Sequence, residues 1–343
     1  MSSIITIIVP VYNSSNYINR FVSSIKHQTL QNFNVIFIND ASTDDTIFSL
    51  KKETSNDKRF IIINLNKNYG PGFARNCGIR ETKTPLVCFA DVDDILPSNS
   101  LELRYKAYIK YNAIIRGSYE VFLPGCILGG YQKCNDNVPE VFTPKQSSNL
   151  VNPYTLISAH WCWLFPTKFL LENNIFYNET IKQAEDLFML GKAFWNIERC
   201  VWIQDIVYYY FRNGNSITAK FYNILNMIEF DKQFYEYAEN NKCIDIGDNY
   251  FFQHCLFALK NILQHCIKNE ISNTYVEKII SNYKIIFEKY EIYNRYYNKA
   301  NKNDIILCIL SFFKKCFSDL NIESNNINND IINIANNIGI IKL

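Results

Sequence analysis

The chain has 343 residues, 48% of them apolar, which is enough to bury a large core, and its length allows two or three domains. Its 35 Lys and Arg nearly balance 33 Asp and Glu, so no strong field favours nucleic acid or another polyanion as partner. The 11 cysteines are odd in number and show no CxxC or CxxC...HxxxH spacing, which argues against a disulfide scaffold and for a reducing cytosol. The opening MSSIITIIVPVYN lacks a basic region and a small-residue cleavage site, so no signal peptide is expected. The longest later apolar run, Ile305 to Phe313, falls well short of the ~20 residues that span a bilayer, so no transmembrane segment is expected either.

Apolar runs at 4–9 (IITIIV), 35–38 (VIFI), 60–63 (FIII) and 86–90 (LVCFA) lack polar alternation, the pattern of parallel strands covered on both faces. Between them, Tyr17, Ile18, Phe21, Val22 and Ile25 mark one helical face. Ser42 to Asp45 reads SxxD, a start signal resembling a capping box before a second helix. Strands alternating with helices predict a doubly wound α/β sheet, in which ligands collect at the carboxyl ends of the strands. From about 100 to 220 the chain is rich in aromatic and turn residues, opening with a helix-like stretch over Ser100 to Tyr111 and closing with FRNGNSIT. From Phe221 onward helical spacing dominates, as at Phe252, Cys255, Leu256, Leu259, Ile262, Leu263 and Cys266, so a separate helical region is expected. The last residues, NIESNNINNDIINIANNIGIIKL, are biased towards Asn and Ile, and no internal repeat is evident.

The fourth run ends in three carboxylates, Asp91, Asp93 and Asp94, within four positions. Like charges this close raise one another's pKa, and burying one unpaired costs several kcal/mol, so a positive partner is expected. The other strand ends are polar too: Pro10, Val11, Tyr12 and Asn13 after the first, Asn39 and Asp40 after the second, and NKNYGPGFARNCGI after the third. Such convergence is informative where any single end is a common turn.

Six stretches, in order, resemble the family 2 glycosyltransferases with the GT-A fold: IIVPVYN (7–13), VIFINDASTDDT (35–46), NKNYGPGFARNCGI (66–79), VCFADVDDIL (87–96), AEDLFML (184–190) and YYYFRNGNSIT (208–218). The resemblance implies an α/β GT-A fold, a Rossmann-like and mostly parallel sheet flanked by helices, followed by a C-terminal helical region. It implies a nucleotide-sugar-binding half over 1–100, an acceptor-binding and catalytic half over 101–220, and a mainly helical region over 221–343. By the same resemblance Pro10 and Tyr12 line the uracil pocket, Asp40 accepts from the base, Arg75 meets the nucleotide, and the Gly70 to Gly72 turn permits close backbone approach.

Asp91 and Asp93 correspond to the family's DxD element, with Asp93 on a Mn²⁺ or Mg²⁺ ion that bridges the diphosphate, Asp91 near the ribose or the ion, and Asp94 as a third ligand or the cap of the next turn. Asp186 corresponds to the general base, with Glu185 its neighbour. One base and no enzyme nucleophile imply inversion in a single displacement. Arg212 closes over the diphosphate and Ser216 steadies that loop. His160, Trp161 and Trp163 stand where the family builds its acceptor wall.

The implied enzyme is a hexosyl- or N-acetylhexosaminyltransferase. It moves a sugar, galactose or an N-acetylhexosamine, from a UDP-sugar to a hydroxyl of a lipid-linked oligosaccharide or surface-polysaccharide precursor in the cytoplasm, at the inner face of the plasma membrane. The DxDD form with nearby His and Trp also resembles bacterial β1,3-galactosyltransferases of O-antigen assembly.

Plainer readings stand beside these. DVDD alone is a solvated turn, Asp186 a helix N-cap or surface acid, Glu185 a structural group, Arg75 the partner of a carboxylate, and Tyr12 a core residue. The three aromatic residues His160, Trp161 and Trp163 fit core packing as well as an acceptor wall. His27, His254 and His265 sit in helical patterns suited to packing or surface. ILCILSFF (306–313), followed by Lys314 and Lys315, fits a core helix or a membrane-surface contact, and the C-terminal region could equally serve dimerisation. A sugar-nucleotide pyrophosphorylase would need a glycine- and base-rich loop that IIVPVYNSS lacks. The rival of a different class is a catalytically silent GT-A glycan-binding or assembly subunit.

Overall fold

The four apolar runs become four strands, β1 (Ile5–Val11), β2 (Phe33–Asn39), β3 (Phe60–Asn64) and β4 (Leu86–Phe89). The computed structural model describes residues 2–122, 131–132, 141, 143, 159–180, 185–211, 236 and 240. The chain divides into two units, Met1–Tyr222 and Asn223–Leu343, and the sheet belongs to the first. Apart from Glu236 and Asn240, the helical region expected from residue 221, with its 306–313 segment, lies outside the described residues, as do Arg212, Ser216, His254 and His265.

β1 lies between β2 and β4 and runs parallel to both, with Ile7 level with Val35 on one side and Cys88 on the other; β3 continues beyond β2. β1, β2 and β4 are buried almost throughout, as uninterrupted apolar runs require. β3 differs: it is an edge strand, and Ile61 is 42% exposed. The sheet order β3-β2-β1-β4 means that the chain steps from β1 to β3 in one direction, then returns to the opposite flank of β1. That reversal opens a crevice outside the carboxyl ends of β1 and β4, the usual place for a ligand in such sheets.

Helix α1 (Ser15–Lys26) buries Ile18, Phe21, Val22 and Ile25, the stripe read from sequence. Helix α2 (Thr46–Glu53) follows the SxxD signal, but the capping is not that of a box. Ser42 Oγ accepts from the Asn13 amide at 3.0 Å instead, while the Asp44 carboxylate accepts from the Thr46 amide at 3.0 Å and the Ser15 amide at 3.3 Å. One carboxylate thus serves two helix starts. Helix α3 (Pro71–Glu81) begins with Pro71, whose missing N–H costs nothing at that position, after Gly70 at φ +96°. Helix α4 spans Ser100–Tyr111, as expected.

The aromatic middle builds the rest of the sheet. It supplies β5 (Ile114–Phe122), β6 (Tyr131–Gln132), a 3-10 turn at His160–Cys162, β7 (Trp163–Pro166), helix α5 (Thr167–Glu172), helix α6 (Glu185–Asn196) and β8 (Cys200–Phe211). β7 is antiparallel to both β4 and β5, and so joins the two halves of the sheet; β8 runs parallel to β5. Cys77, Cys88, Cys162 and Cys200 are thiols, not disulfides. Among the described residues no helix is long and apolar enough to cross a membrane.

Candidate active site

The positive partner demanded by the acidic turn is Arg75. Its Nη2 donates to Asp91 Oδ1 and its Nη1 to Glu185 Oε1, both at 2.7 Å, and its side chain is 5% exposed. Burial alone would favour losing the proton, but the two carboxylates more than reverse that, so the guanidinium stays charged. Arg75 therefore ties the turn after β4 to the first residue of α6. The reading that gave Arg75 to the nucleotide and the reading that paired it with a carboxylate differ here: in this structure its two terminal nitrogens are on carboxylates.

The three aspartates of the turn separate in role. Asp91 and Asp93 are half-buried, whereas Asp94 is 0% exposed. Asp94 Oδ2 accepts from the Tyr208 hydroxyl at 2.9 Å and Oδ1 from the Phe211 amide at 2.7 Å, while the Tyr208 oxygen accepts from the Asp91 amide at 2.9 Å. Ile95 and Tyr209 exchange backbone hydrogen bonds beside it. Asp94 thus fastens the end of β8 to the acidic turn. Burial, with Asp93 and Asp91 nearby, pushes its carboxyl well above the ordinary range. Arg20 of α1 donates to the Asp93 carbonyl and lies 4.3 Å over the Phe211 ring, holding the same corner from the other side. Truncating Asp94 to Ala is expected to cost about 1–3 kcal/mol for each of the two donors left unpaired. Urea denaturation of the full chain checks this, and an unchanged midpoint would contradict it.

Asp186, in the first turn of α6, is 28% exposed, and its Oδ2 lies 3.4 Å from His160 Nδ1. Burial works to raise its pKa, but the His160 hydrogen bond, the Arg75 charge and a backbone amide outweigh burial and hold it below the ordinary value. Glu185 goes the other way, because burial and the neighbouring Asp186 charge exceed the pull of Arg75. The two neighbours therefore differ: one ionised and partly open, the other buried against a cation.

His160, Trp161 and Trp163, expected as an acceptor wall, are placed inside the protein at 3%, 7% and 2% exposure. Trp161 stacks on Tyr208 with centroids 4.2 Å apart, and Trp163 on Phe165 at 5.5 Å. The buried Arg104 donates to the carbonyls of both tryptophans at 3.3 Å, which fixes the turn between them. The bulk and flat faces of these residues are spent on packing.

On the nucleotide side, Tyr12 is 48% exposed just beyond β1 and Pro10 is half-buried. Asp40 is 3% exposed, and its two oxygens accept from the amides of Tyr69 and Gly70 at 2.8 Å each. It shapes the turn before α3, and each oxygen keeps a second lone pair for a ligand donor. The close approach expected at Gly70 to Gly72 comes from the chain itself: a Cβ on Gly72 would lie 2.9 Å from the Asn178 carbonyl.

Two residues not singled out from sequence complete this contact. Asn76 exchanges hydrogen bonds with the Tyr177 backbone at 2.9 and 2.8 Å, and the Tyr177 ring lies 5.3 Å from the Arg75 guanidinium. Asn76 follows Arg75 directly in the motif, the signal that could have drawn attention to it. Tyr208 opens the YYYFRNGNSIT stretch, whereas Tyr177 sits in a loop outside every matched stretch and carries no such signal.

Among the described residues no group of three His, Cys, Asp or Glu side chains is arranged to hold a metal ion. The oxygens of Asp91 and Asp93 nonetheless suit a hard divalent cation, which needs only one or two carboxylates when ligand phosphates and water fill its shell. Asp94 is fully buried and its two oxygens hold the Tyr208 hydroxyl and the Phe211 amide, the arrangement of a residue that caps the turn.

Fold and site together define a glycosyltransferase domain of the GT-A type. Residues 6–171 match the family described as Glycosyl transferase family 2. It is 32% identical over 215 residues to glycosyltransferase GlyA of Streptococcus pneumoniae, covering 60% of this chain and 30% of GlyA. It is 26% identical over 236 residues to poly(ribitol-phosphate) beta-N-acetylglucosaminyltransferase TarS of Staphylococcus aureus, covering 65% of this chain and 39% of TarS. The chain thus spans well under half the length of these relatives. The crystal structure of TarS residues 1–349 shares the fold, with TM-score 0.66 at 21% identity over 82% of this chain and 79% of that one.

Proposed function

We propose that the protein transfers a sugar, with inversion, from a UDP-sugar to a hydroxyl of a surface-polysaccharide precursor. The observation that carries this reading is Arg75 bound at once to Asp91 and Glu185, which brings the donor-side turn and the start of α6 into one site. TarS structures with UDP and with UDP-GlcNAc, and the polymer in the TarS name, support a UDP-sugar donor and a surface-polymer acceptor, and favour N-acetylhexosamine over galactose.

Asp186 is the general base. It is ionised near neutral pH, partly open, and has Oδ2 beside His160, leaving Oδ1 to take a proton from the acceptor hydroxyl. The acceptor oxygen then bonds to the anomeric carbon as the bond from that carbon to the UDP oxygen breaks, and an α-linked donor yields a β-linked product. Glu185 is held on Arg75 and keeps that cation in place. Asp93 and Asp91 would hold the Mn²⁺ or Mg²⁺ ion, which when bound offsets the charge on the departing diphosphate. Arg212 and Ser216, just after β8, are assigned to the same diphosphate, since Asp94 anchors the strand that leads to them.

The test is UDP release by the full chain with Mn²⁺ and a panel of UDP-sugars. Release from a UDP-N-acetylhexosamine is expected. Absence of both release and metal-dependent UDP binding in calorimetry would overturn the reading in favour of a silent glycan-binding subunit. Asp93→Ala is expected to lower the metal-dependent rate by about 10²–10³-fold, and unchanged Mn²⁺-dependent release would remove Asp93 from the metal role.

A further inference from the structure

We propose that His160 is a positioning residue for Asp186, fixing which carboxylate oxygen faces the acceptor; this rests on the reading of Asp186 as the base. The ring stands on a braced support. It follows Ala159, which adopts the left-handed conformation at φ +60°, a conformation a non-glycine residue keeps only when its surroundings hold it there. The turn it starts is held by Arg104 through the carbonyls of Trp161 and Trp163. The imidazole packs edge-on against Phe89 and Tyr177, each with centroid 5.8 Å away and in contact with one another at 5.3 Å, so three mutually packed rings set its plane before any ligand arrives.

In that plane Nδ1 points at Asp186 Oδ2, at 3.4 Å. The other nitrogen, Nε2, is buried and has no hydrogen-bond partner among the described residues. Opposite an ionised carboxylate it is Nδ1 that carries a proton and donates it to Oδ2. With Oδ2 so engaged and the Leu187 amide also donating to the carboxylate, Oδ1 keeps a lone pair with which to accept a proton. Among the described residues the other charged or titratable groups facing the pair are Arg75 from α3, Glu185 from α6 and Tyr177 from the loop before α6. Arg75 directs its terminal nitrogens to Asp91 and Glu185 instead.

The same hydrogen bond helps hold Asp186 below the ordinary carboxylate value against its burial. His160 therefore trades some basicity for orientation. Removing it should leave a stronger but misplaced base, and the two effects separate in kinetics.

The test compares His160→Leu, His160→Asn and His160→Gln in the full chain with donor and acceptor. Asn places an N–H close to the position of Nδ1, whereas Gln carries its N–H one atom further out. In Leu and Gln, kcat is expected to fall about 10–100-fold, the range seen when a group orienting a reactive residue is lost. The donor KM should stay unchanged, and the acid limb of kcat/KM should move to higher pH. Asn is expected to recover most of the rate with the limb near its wild-type position. Wild-type kcat in Leu, an unmoved limb, or equal rates in Asn and Gln would overturn the proposal; the Asn–Gln contrast decides if Leu does not fold. Retained transfer in Asp186→Asn would instead overturn the base assignment itself. Loss of transfer in that variant alongside a fully active His160→Leu would overturn only the role of His160.

Discussion

Replacing Arg75 with methionine is expected to destabilise the protein by about 3–5 kcal/mol, the range for removing one partner of a buried ion pair. Methionine has similar length and keeps the apolar stem, so the loss is chiefly that of charge. Arg75 is the cation between two carboxylates, and Glu185 at 11% side-chain exposure has little water to replace it. The cost should depend on pH in a determined direction. Glu185 already titrates above its ordinary value, because burial and Asp186 outweigh Arg75. Between the unfolded and folded pKa the native state holds a proton that the unfolded chain releases, so stability falls as pH rises through the raised pKa. Without Arg75 that pKa climbs further, and the deficit relative to wild type should be smaller at pH 5 than at pH 8. Urea denaturation at both values checks the magnitude and the sign. A deficit below about 1 kcal/mol, as for an exposed pair, would mean the bridge is not buried in solution.

Asp186→Asn is expected to lower transfer by about 10²–10⁴-fold, the typical contribution of general-base catalysis, with UDP affinity retained. Asparagine keeps the shape and can still accept from His160, but it cannot take up the hydroxyl proton. The pH dependence of its stability has the opposite sign to that of Glu185. The folded pKa of Asp186 is lowered, so the wild-type carboxylate contributes stability above its unfolded pKa and loses it as pH falls through the folded one. The difference between wild type and variant should therefore shrink in acid. UDP release measured beside UDP calorimetry separates the catalytic loss from a binding loss, and wild-type turnover in this variant would end the base assignment.

Several readings depended on information no window of sequence contains. Trp161 and Trp163 are adjacent in type and spacing to an acceptor wall, yet stacking on Tyr208 and Phe165 puts them in the core. Trp161 is 47 residues from Tyr208 in sequence, and only the pairing of β5 with β8 brings them together. Asp94 could not be told from Asp93 by spacing, since both follow the same strand. The hydroxyl of Tyr208 and the amide of Phe211 decide it, more than a hundred residues further on. Ser42 in its SxxD setting does precede a helix, but that helix begins at Thr46, and tertiary neighbours took the Ser42 hydroxyl for Asn13 and gave the capping to Asp44.

What the sequence by itself determined is the order of the first strands and helices and the extent of α4, because apolar periodicity is a property of a few adjacent residues and the backbone geometry they share. It also determined which chemical groups stand near the strand ends, since each strand ends within two residues of its apolar run. Only the tertiary structure decided which of those groups meet. Arg75 finds Asp91 at a separation of 16 residues and Glu185 at 110. The carboxylates then take different charges according to burial and neighbours, which are set by the packed fold rather than by residue type.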